Sequence, residues 1–370
     1  MAMRVLGFMT GTSLDAVDMA VLETDGETIH AFGPAGERKL TEPTREVLLE
    51  ATHEAQVWAR RTPAPAIFED AARVVAEEHF AAADAFLAAN GLTWSDLDLI
   101  GMHGQTVLHE RPQDGRPGRT VQLGDGAWLA AQTGTPTAFD FRSADMAAGG
   151  EGAPIAPIYH LARMRASGLS PPAAMLNLGG VANITFCRAD GSLTAFDTGP
   201  ANGMIDLVVQ ARGAGRFDEG GRYASVGRVD EAILTTMLAH AYFQAPAPKS
   251  LDRHTFSLEP LAHLQLEDAA ATLVAFTAET VRKGLELARE APREVIACGG
   301  GRHNPEIMKA LRARLPTPVS IAEDHGWRGD SIEAEAIAYL AARTVRGLPI
   351  SFPGTTGVPA PMTGGRVAGS

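Results

Sequence analysis

The sequence has only two cysteines and no long apolar run. Cys187 and Cys298 each lie in an apolar stretch, without the spacing of metal ligands or of a redox motif. We therefore interpret them as buried thiols in a reducing compartment rather than as a disulfide. No uninterrupted apolar stretch approaches the ~18 residues of a membrane-spanning helix, and the run that ends at Thr10 is too brief for a secretory signal. These absences predict a cytoplasmic protein without a membrane partner.

Positive charge is also scarce. The chain has 32 Lys and Arg against 44 Asp and Glu, for a net charge of -12, so no global positive field attracts nucleic acid. The four lysines (Lys39, Lys249, Lys283 and Lys309) lie outside the Gly-rich loops, and the pattern GxxxxGK[ST] is absent. A P-loop is thereby excluded. A local phosphate site built from backbone N–H groups stays open.

Length and pattern together indicate two α/β domains. The 370 residues are too many for a typical single core, and strand-like and helix-like stretches alternate. Two apolar strands joined by a Gly-containing turn open the chain at 4–24, and the same plan recurs at 174–187. We predict an N-terminal lobe at 1–140, with the C-terminal segment 335–370 packing back on it, and a C-terminal lobe at 141–334.

Helical spacing of apolar residues predicts helices at 44–61, 66–91, 230–243, 268–290, 304–315 and 330–348. The second of these is expected to end at Asn90 and Gly91, which suit a helix C-terminus. The last residues, 349–370, are rich in Pro, Gly and Thr. This tail is expected to wrap as an ordered loop or to fray.

Glycine-containing turns follow three of the apolar strands, where ligands of α/β sheets usually gather. The first turn, Thr10-Gly11-Thr12-Ser13, offers consecutive N–H groups, one small residue and several hydroxyls, which suit a phosphate chain. The second is Gly179-Gly180 and the third is Gly299-Gly300-Gly301. Each turn can equally be structural, as a hairpin or a strand-to-helix crossing without a ligand.

Two similar halves, each with such a hairpin, and a late triple glycine resemble the sugar kinase, Hsp70 and actin superfamily. That resemblance implies an α/β fold with two RNase H-like lobes and a central cleft for ATP and substrate. A more specific resemblance, spanning Gly7 to Ala342, is to the anhydro-N-acetylmuramic acid kinase family. It rests on GFMTGTSLDAVD, GMHGQTVLH, VQLGDGAWLA, FDFRSADMAAGGEGAPIAP, LNLGGVANIT, FDTGPAN, CGGGRHN and IEAEAIAYLA, in this order.

The family resemblance implies an enzyme of peptidoglycan recycling and a homodimer. With ATP and water, such an enzyme opens the 1,6-anhydro ring of anhydro-N-acetylmuramate and makes the 6-phosphate. Three positions depart from the usual pattern: Thr10 replaces Ser, and Ala16 and Ala201 replace Gly. If the backbone at Ala201 needs a positive φ, the methyl group costs roughly 1 kcal/mol or more. The segment PKSLDRHTF also differs from the frequent family sequence.

The resemblance assigns catalysis to Asp197 in FDTGPAN. A carboxylate there would deprotonate the water that attacks the anomeric carbon, opposite the leaving oxygen. From the motif alone, Asp197 could instead cap a turn at Gly199 and Pro200.

Nucleotide contacts are implied for the first hairpin, which supplies Thr10, Gly11, Thr12, Ser13, Leu14, Asp15, Ala16 and Val17, and for the Gly179–Gly180 and Gly299–Gly301 turns. Phosphoryl transfer needs Mg²⁺. Hexokinase-like proteins usually carry Asp just before the first turn, but Phe8 and Met9 stand there in this chain. Asp15 is the predicted metal ligand, and Asp18 is a second candidate unless it faces solvent.

For the sugar, the predicted contacts are Gln105, Thr106, Arg142 and Glu333. An Arg fork suits the lactyl carboxylate, although Arg142 could pair with an aspartate of its own segment, Asp140 or Asp145. Glu333 could lie on a solvated helix face. His103 and His109 lack the spacing of helical zinc ligands.

Two alternative functions share the fold. One is a kinase of a different amino sugar, in which Asp197 would deprotonate a sugar hydroxyl. The other is an ATP-dependent clamp or binding protein, against which the motif FDTGPAN speaks because a clamp needs no base beside a sugar.

Overall fold

The computed structural model describes residues 1–11, 13–58, 62–113, 115–251 and 255–369. Thr12, one of the predicted nucleotide contacts, lies outside the described residues. The chain divides into two compact units. Unit 1 is Met1–Ala166 with Ser331–Ser370, and unit 2 is Ser167–Asp330.

The elements follow one another in an α/β order. Unit 1 begins with β1 (Met3–Thr10), β2 (Ala16–Thr24), β3 (Ile29–Lys39), α1 (Glu42–Val57), α2 (Ile67–Ala89), β4 (Leu99–Glu110), β5 (Arg119–Leu123), α3 (Gly126–Thr133), β6 (Thr137–Phe139), α4 (Ser143–Ala147) and α5 (Pro157–Ala166). Unit 2 contains β7 (Ala173–Leu178), β8 (Val181–Cys187), β9 (Leu193–Pro200), α6 (Asn202–Ala211), α7 (Glu231–Leu238), α8 (Leu266–Glu286), β10 (Val295–Cys298), α9 (Pro305–Arg314) and β11 (Val319–Ile321). The chain returns to unit 1 with α10 (Ile332–Val345) and β12 (Arg366–Ala368).

Both units carry a sheet of the same order. In unit 1 the strands run β12-β6-β4-β1-β2-β3, with β5 paired to β4, and in unit 2 they run β11-β10-β7-β8-β9. In unit 1, β1, β2 and β3 pair antiparallel in sequence order, β4 pairs parallel with the other edge of β1, and β6 pairs parallel with β4. Unit 2 repeats this with β7, β8 and β9 antiparallel, β10 parallel to β7 and β11 parallel to β10. This is the RNase H-like order, so the predicted α/β fold with two related halves is confirmed.

Local signals end α2 where the sequence predicts. Asn90 is the C-cap of α2, and the next residue, Gly91, has φ 68°. A left-handed residue at this position satisfies the last carbonyls of the helix, and glycine adopts it without a steric cost. The C-terminal tail is ordered in part, because β12 pairs antiparallel with β6.

The helix α10 packs directly on the unit 1 sheet through two glycines that face each other across the β1–β4 pair, Gly7 and Gly101. A Cβ on Gly7 would lie 2.1 Å from the Ala334 carbonyl oxygen, and one on Gly101 would lie 2.7 Å from that of Ile337. Only a residue without a side chain permits this approach. The first turn of α10, which carries Glu333, is therefore held against the sheet.

The unit boundaries differ from the predicted ones at 140 and 334. The segment after β6 stays in unit 1, because α5 packs against β3 and α10. Buried polar contacts fix it there. The Tyr159 hydroxyl donates to the Glu335 carboxylate, and the Arg163 guanidinium lies over the Phe32 ring, 3.6 Å from its centroid.

The two cysteines, Cys187 and Cys298, are free and buried, as the sequence predicts. Over the described residues, no helix combines the length and apolarity needed to cross a lipid bilayer.

Candidate functional site

The first predicted phosphate turn begins with a buried side chain. The Thr10 hydroxyl lies 2.8 Å from Nε2 of His79 on α2, and both residues are almost fully buried. The His79 ring also stacks on Phe8, with centroids 5.0 Å apart. Burial lowers the pKa of His79 to about 3, so its imidazole is neutral. Thr10 therefore anchors the turn to α2.

Beyond Thr10, the described residues of this turn are Gly11 and Ser13 to Asp15. The Leu14 N–H donates to the Gly11 carbonyl at 3.2 Å, and the Ser13 hydroxyl donates to Oδ1 of Asp15 at 2.7 Å. Ser13 and Asp15 are exposed and Gly11 is half-buried. Leu14 is buried and has φ 54°, a left-handed conformation that is costly for a branched side chain. Gly11, Ser13 and Asp15 are thus the described residues of the turn that a phosphate can reach.

The two remaining predicted contacts of this hairpin, Ala16 and Val17, open β2 with buried side chains. Val17 packs in the core between the sheet and α2. Ala16 is not among the residues with positive φ, so a methyl group at this position carries no left-handed penalty. Asp18, further along β2, lies opposite Met9 on one side and Glu37 on the other.

A magnesium ion needs one or two carboxylates, with water and phosphate oxygens completing its shell. Asp15 fits this requirement. Its Oδ1 accepts from Ser13 and from the Ala16 N–H, and its Oδ2 accepts no hydrogen bond from the described residues. Across the described ranges, no group of three or more His, Cys, Asp or Glu side chains is placed to hold a metal by itself.

The predicted sugar contacts on β4 differ in accessibility. Gln105 is 1% exposed, and its Oε1 has no hydrogen-bond partner among the described residues. Its Nε2 donates to the Thr106 carbonyl at 3.1 Å. Thr106 is half-buried, and its hydroxyl accepts from Nε2 of Gln122 at 3.3 Å. Of the two side chains, Thr106 is the one that solvent reaches.

Arg142 follows β6 and is half-buried. Its Nε and Nη2 lie 3.1 and 2.9 Å from Nε2 of His103, and its Nη1 donates to the Gly152 carbonyl at 2.7 Å. The pairing with Asp140 or Asp145 that the sequence left open is not formed. The Asp140 carboxylate accepts from the Ser143 N–H, and Asp145 accepts from the Gly152 N–H. Burial lowers the pKa of Arg142 to about 10, while Glu333 and Asp145 oppose this.

Glu333 lies in the first turn of α10 and is exposed to solvent. Desolvation by the surrounding protein raises the pKa of its carboxyl, and the nearby Arg142 cation opposes that rise. Two of the predicted sugar contacts, Arg142 and Glu333, thus interact electrostatically within unit 1.

In unit 2, Asp197 lies within β9 and is half-buried. Its Oδ2 accepts from the Leu251 N–H at 2.7 Å, its backbone N–H donates to the Lys249 carbonyl at 3.0 Å, and its carbonyl accepts from the Tyr242 hydroxyl at 2.5 Å. The alternative role as a turn cap is not supported, because Gly199 and Pro200 continue the strand. A loop from a distant part of the sequence therefore fixes both the backbone and the carboxylate of Asp197.

The two glycine turns of unit 2 meet at the N-terminus of α6. The Gly179 and Gly180 carbonyls accept from the backbone N–H groups of Asn202 and Gly203 at 3.0 and 3.1 Å. A Cβ on Gly301 would lie 2.7 Å from the Leu178 Cβ and 3.1 Å from Nδ2 of Asn202. Gly299 has φ 75°, and Gly300 lies between these two in a short 3-10 turn. These turns follow β7 and β10, which are parallel neighbours, as the ligand rule for α/β sheets requires.

Ala201 precedes α6 with φ -125°. The backbone at this position does not need a positive φ, so the alanine carries no left-handed strain.

Several residues that shape the site were not assigned from the sequence. His79 anchors Thr10, His103 contacts Arg142, and Tyr242 and Leu251 hold Asp197. His103 stands in the motif HGQTVLH, but no local pattern there indicates its contact with Arg142. The other contacts join segments far apart in the chain, which a single sequence does not reveal.

Comparisons with known proteins agree over the whole chain. A family model described as anhydro-N-acetylmuramic acid kinase matches residues 3–368. A protein of that name from Phenylobacterium zucineum is 76% identical over 365 residues, covering 99% of both chains. Another from Caulobacter vibrioides is 69% identical over 367 residues, again covering 99% of both. Among solved structures, component A of (R)-2-hydroxyglutaryl-CoA dehydratase from Acidaminococcus fermentans matches 93% of this chain and 99% of its own, with 13% identity and a TM-score of 0.46.

Proposed function

The chain belongs to the anhydro-N-acetylmuramic acid kinase family, and from this premise we propose the reaction and the residues that perform it. The enzyme converts 1,6-anhydro-N-acetylmuramic acid, water and ATP to N-acetylmuramic acid 6-phosphate and ADP, a step of peptidoglycan recycling. Water oxygen bonds to C1 as the bond from C1 to O6 breaks, and O6 takes the γ-phosphoryl group. A proton of the water passes to a base.

Asp197 is the proposed base, and its three-point attachment is the observation that carries the proposal. A general base must hold its carboxylate within hydrogen-bond reach of the water in one orientation. The Leu251 N–H orients one carboxylate oxygen, while Lys249 and Tyr242 fix the backbone. The γ-phosphoryl group that O6 attacks takes up the charge that develops on O6, so no separate general acid is required.

For ATP, we infer phosphate contacts from Gly11, Ser13 and the unit 2 turns at Gly179–Gly180 and Gly299–Gly301. Thr10 and Leu14 support the first turn from the core, and Thr12, which lies outside the described residues, stays a proposed contact. Asp15 is the proposed ligand of Mg²⁺. When bound, Mg²⁺ would neutralise negative charge on the triphosphate.

For the sugar, Arg142 is the proposed partner of the lactyl carboxylate, and Glu333 and Thr106 are proposed partners of its polar groups. The half-buried Arg142 and the exposed Glu333 support these roles because solvent reaches both side chains. The Gln105 side chain is 1% exposed, so we infer that it supports β4 from within.

Asp197→Asn tests the catalytic proposal. The amide oxygen of asparagine can still accept from Leu251, so the variant should fold, but it cannot take a proton. We expect kcat to fall by about 10²–10⁴-fold, with the KM values for ATP and sugar changed little.

The matched control is Asp190→Asn in unit 2, which removes the same charge from an exposed turn between β8 and β9. This control should keep kcat within about twofold of the wild-type enzyme, as surface substitutions usually do. An Asp197→Asn enzyme that retains more than roughly a tenth of the wild-type kcat would remove Asp197 from the role of base.

We also propose a cytoplasmic location and a homodimer. Cys187 and Cys298 are both free and buried, as expected in the reducing cytoplasm. Sedimentation of the purified enzyme tests the dimer, since a single species at the mass of one chain would contradict it.

A further inference from the structure

The contact with His103 fixes the orientation of the Arg142 guanidinium. His103 is 4% exposed, and its Nδ1 lies 2.8 Å from the Gly104 carbonyl. A carbonyl can only accept, so Nδ1 carries the proton. Burial above all, together with the Arg142 cation, lowers the pKa of His103 to about 3. The ring is therefore neutral, and its Nε2 is an acceptor.

Both Nε and Nη2 of Arg142 point at this single acceptor. The other tautomer would bring two N–H groups face to face at Nε2 and two lone pairs at Nδ1, so the structure accommodates one form only. A second proton on His103 would be repelled by the Arg142 cation. The Gly104 carbonyl at Nδ1 and Arg142 at Nε2 thus both select the same tautomer.

The donors of Arg142 can be counted. A guanidinium has five N–H groups. One on Nε and one on Nη2 face His103, and one on Nη1 reaches the Gly152 carbonyl. One N–H on Nη1 and one on Nη2 remain. Two such terminal donors match the two oxygens of a carboxylate.

No carboxylate within the described ranges forms an ion pair with the remaining donors. Arg142 forms no ion pair within 4.0 Å among the described residues, although Glu333 and Asp145 act on it electrostatically. Asp145 is instead committed to the loop. Its carboxylate accepts from the Gly152 N–H at 2.7 Å and from the Thr356 hydroxyl at 2.5 Å. Asp145 thereby holds the carbonyl that fixes Nη1, without occupying the cation.

We propose that His103 is a positioning residue that holds Arg142 as a two-pronged carboxylate receptor, and that this pair sets the preference for the acidic muramic sugar. The proposal rests on the proposed function, in which the lactyl carboxylate is the only anionic group of the sugar. His103 acts through Arg142 and does not touch the substrate. An anion of the nucleotide is the competing occupant, and the experiment separates the two.

The test compares two sugars. One is 1,6-anhydro-N-acetylmuramic acid, and the other is 1,6-anhydro-N-acetylglucosamine, which has a hydroxyl in place of the lactyl ether. The measured quantity is kcat/KM for the muramic sugar divided by kcat/KM for the glucosamine sugar. Arg142→Gln should lower this ratio by at least roughly tenfold, as the loss of a charge-assisted pair predicts. His103→Phe, which keeps a ring but loses the acceptor, should lower it similarly.

Two variants control this result. His103→Gln restores an acceptor on an uncharged side chain, so it should recover most of the preference. His160→Phe removes another buried histidine of unit 1, on α5, and should leave the ratio near the wild-type value. A His103→Phe enzyme that slows both sugars equally would assign His103 a structural role only. If Arg142→Gln raises the KM for ATP and leaves the ratio of the two kcat/KM values unchanged, Arg142 binds the nucleotide instead. Both outcomes overturn the proposal.

A second measurement needs no variant. In ¹⁵N-histidine NMR spectra of the wild-type enzyme, His103 should show a protonated Nδ1 and an unprotonated Nε2 that do not titrate between pH 5 and 8. Titration in that range, or a proton on Nε2, would overturn the proposal. If the wild-type enzyme turns over neither sugar, the proposed function fails. Calorimetric binding of the same two sugars then still measures the preference.

Discussion

At the scale of single residues, Leu14 shows how a strained conformation is held at the proposed phosphate turn. Its backbone has φ 54°, which costs a non-glycine residue roughly 1–2 kcal/mol. Its side chain is 5% exposed and packs in a core cluster with Leu48 of α1 and Val75 of α2. Burial of a leucine contributes more than the strain costs, about 1.5–3 kcal/mol. The turn thus keeps its shape because its one bulky residue is buried.

Substitutions at Leu14 should therefore follow an unusual order of stability. Leu14→Ala loses the buried side chain and keeps the strain, at a cost of about 2–5 kcal/mol. Leu14→Gly loses the same side chain but relieves the strain, so it should be the more stable of the two. Urea unfolding measures the order. On the helix α1, Leu48→Gly should instead be less stable than Leu48→Ala, since glycine weakens helices by roughly 1 kcal/mol. A Leu14→Ala variant that is more stable to urea than Leu14→Gly would show that Leu14 is not strained in this way.

At the scale of elements, the facing glycines Gly7 and Gly101 let α10 lie on the sheet and carry Glu333 to the proposed sugar site. A Cβ on Gly101 would lie 2.9 Å from that of Ala341, in addition to its contact with the Ile337 carbonyl. Both atoms belong to α10, whose backbone cannot give way locally. The helix as a whole has to shift.

Gly101→Ala should accordingly destabilise unit 1 by about 1–3 kcal/mol, as overpacking does. Because Glu333 moves with the helix, the KM for the sugar should also rise. Thermal unfolding and steady-state kinetics measure the two effects. Gly36→Ala on β3 is the control, since a Cβ there meets only the Phe86 ring at an ordinary 3.5 Å. Equal stability of the Gly101 and Gly36 variants would show that α10 is not held in this way.

Elements were predictable from the sequence where their signals are local. The two hairpins, the long helices and the end of α2 at Asn90 follow from apolar spacing and turn residues over a few positions. The edge strand β3 was missed because its side chains are mostly half-buried or exposed and lack an apolar alternation. The three-residue strand β12 exists only through its pairing with β6.

The candidate site was predictable only through its motifs. The motifs identify Asp197 and Arg142, but their partners lie 54 and 39 residues away in the chain, and the partner of Thr10 lies 69 residues away. Such distant contacts depend on the tertiary packing of β9, β4 and α2, which no local pattern encodes. The motif HGQTV predicts Gln105 as a sugar contact, but the burial of its side chain depends on the folded unit.

At the scale of the whole molecule, buried histidines make the two units respond differently to acid. His79, His103 and His160 are all in unit 1, and burial lowers the pKa of each to about 3. In the unfolded chain their pKa is about 6.5. Unfolded unit 1 therefore binds protons that folded unit 1 excludes, and its stability falls as the pH drops from about 6.5 towards 3.

Unit 2 contains a group with the opposite effect. Desolvation and the neighbouring Asp218 raise the pKa of Asp206 to about 6, above the ~3.9 of an unfolded aspartate. The folded unit binds this proton more readily than the unfolded chain. Asp206 therefore adds stability as the pH falls through about 6, a contribution that is absent at neutral pH.

Acid should thus weaken unit 1 before unit 2. At pH 5.5 each fully buried histidine costs unit 1 roughly 1 kcal/mol relative to pH 7.5. Hydrogen exchange followed by mass spectrometry at the two pH values, corrected for intrinsic exchange rates, measures this by unit. Peptides of residues 1–166 and 331–370 should lose protection, while those of 167–330 keep theirs. Loss that is uniform, or that begins in unit 2, would contradict the assignment of neutral buried histidines.

In the proposed reaction, one turnover couples ring opening by water to phosphorylation of O6. The most direct measurement is mass spectrometry of the product formed from ATP, Mg²⁺ and 1,6-anhydro-N-acetylmuramic acid in ¹⁸O-water. We expect a sugar 6-phosphate with one heavy oxygen, located at C1. A phosphorylated product without heavy oxygen at C1, or no product while nucleotide still binds, would contradict it.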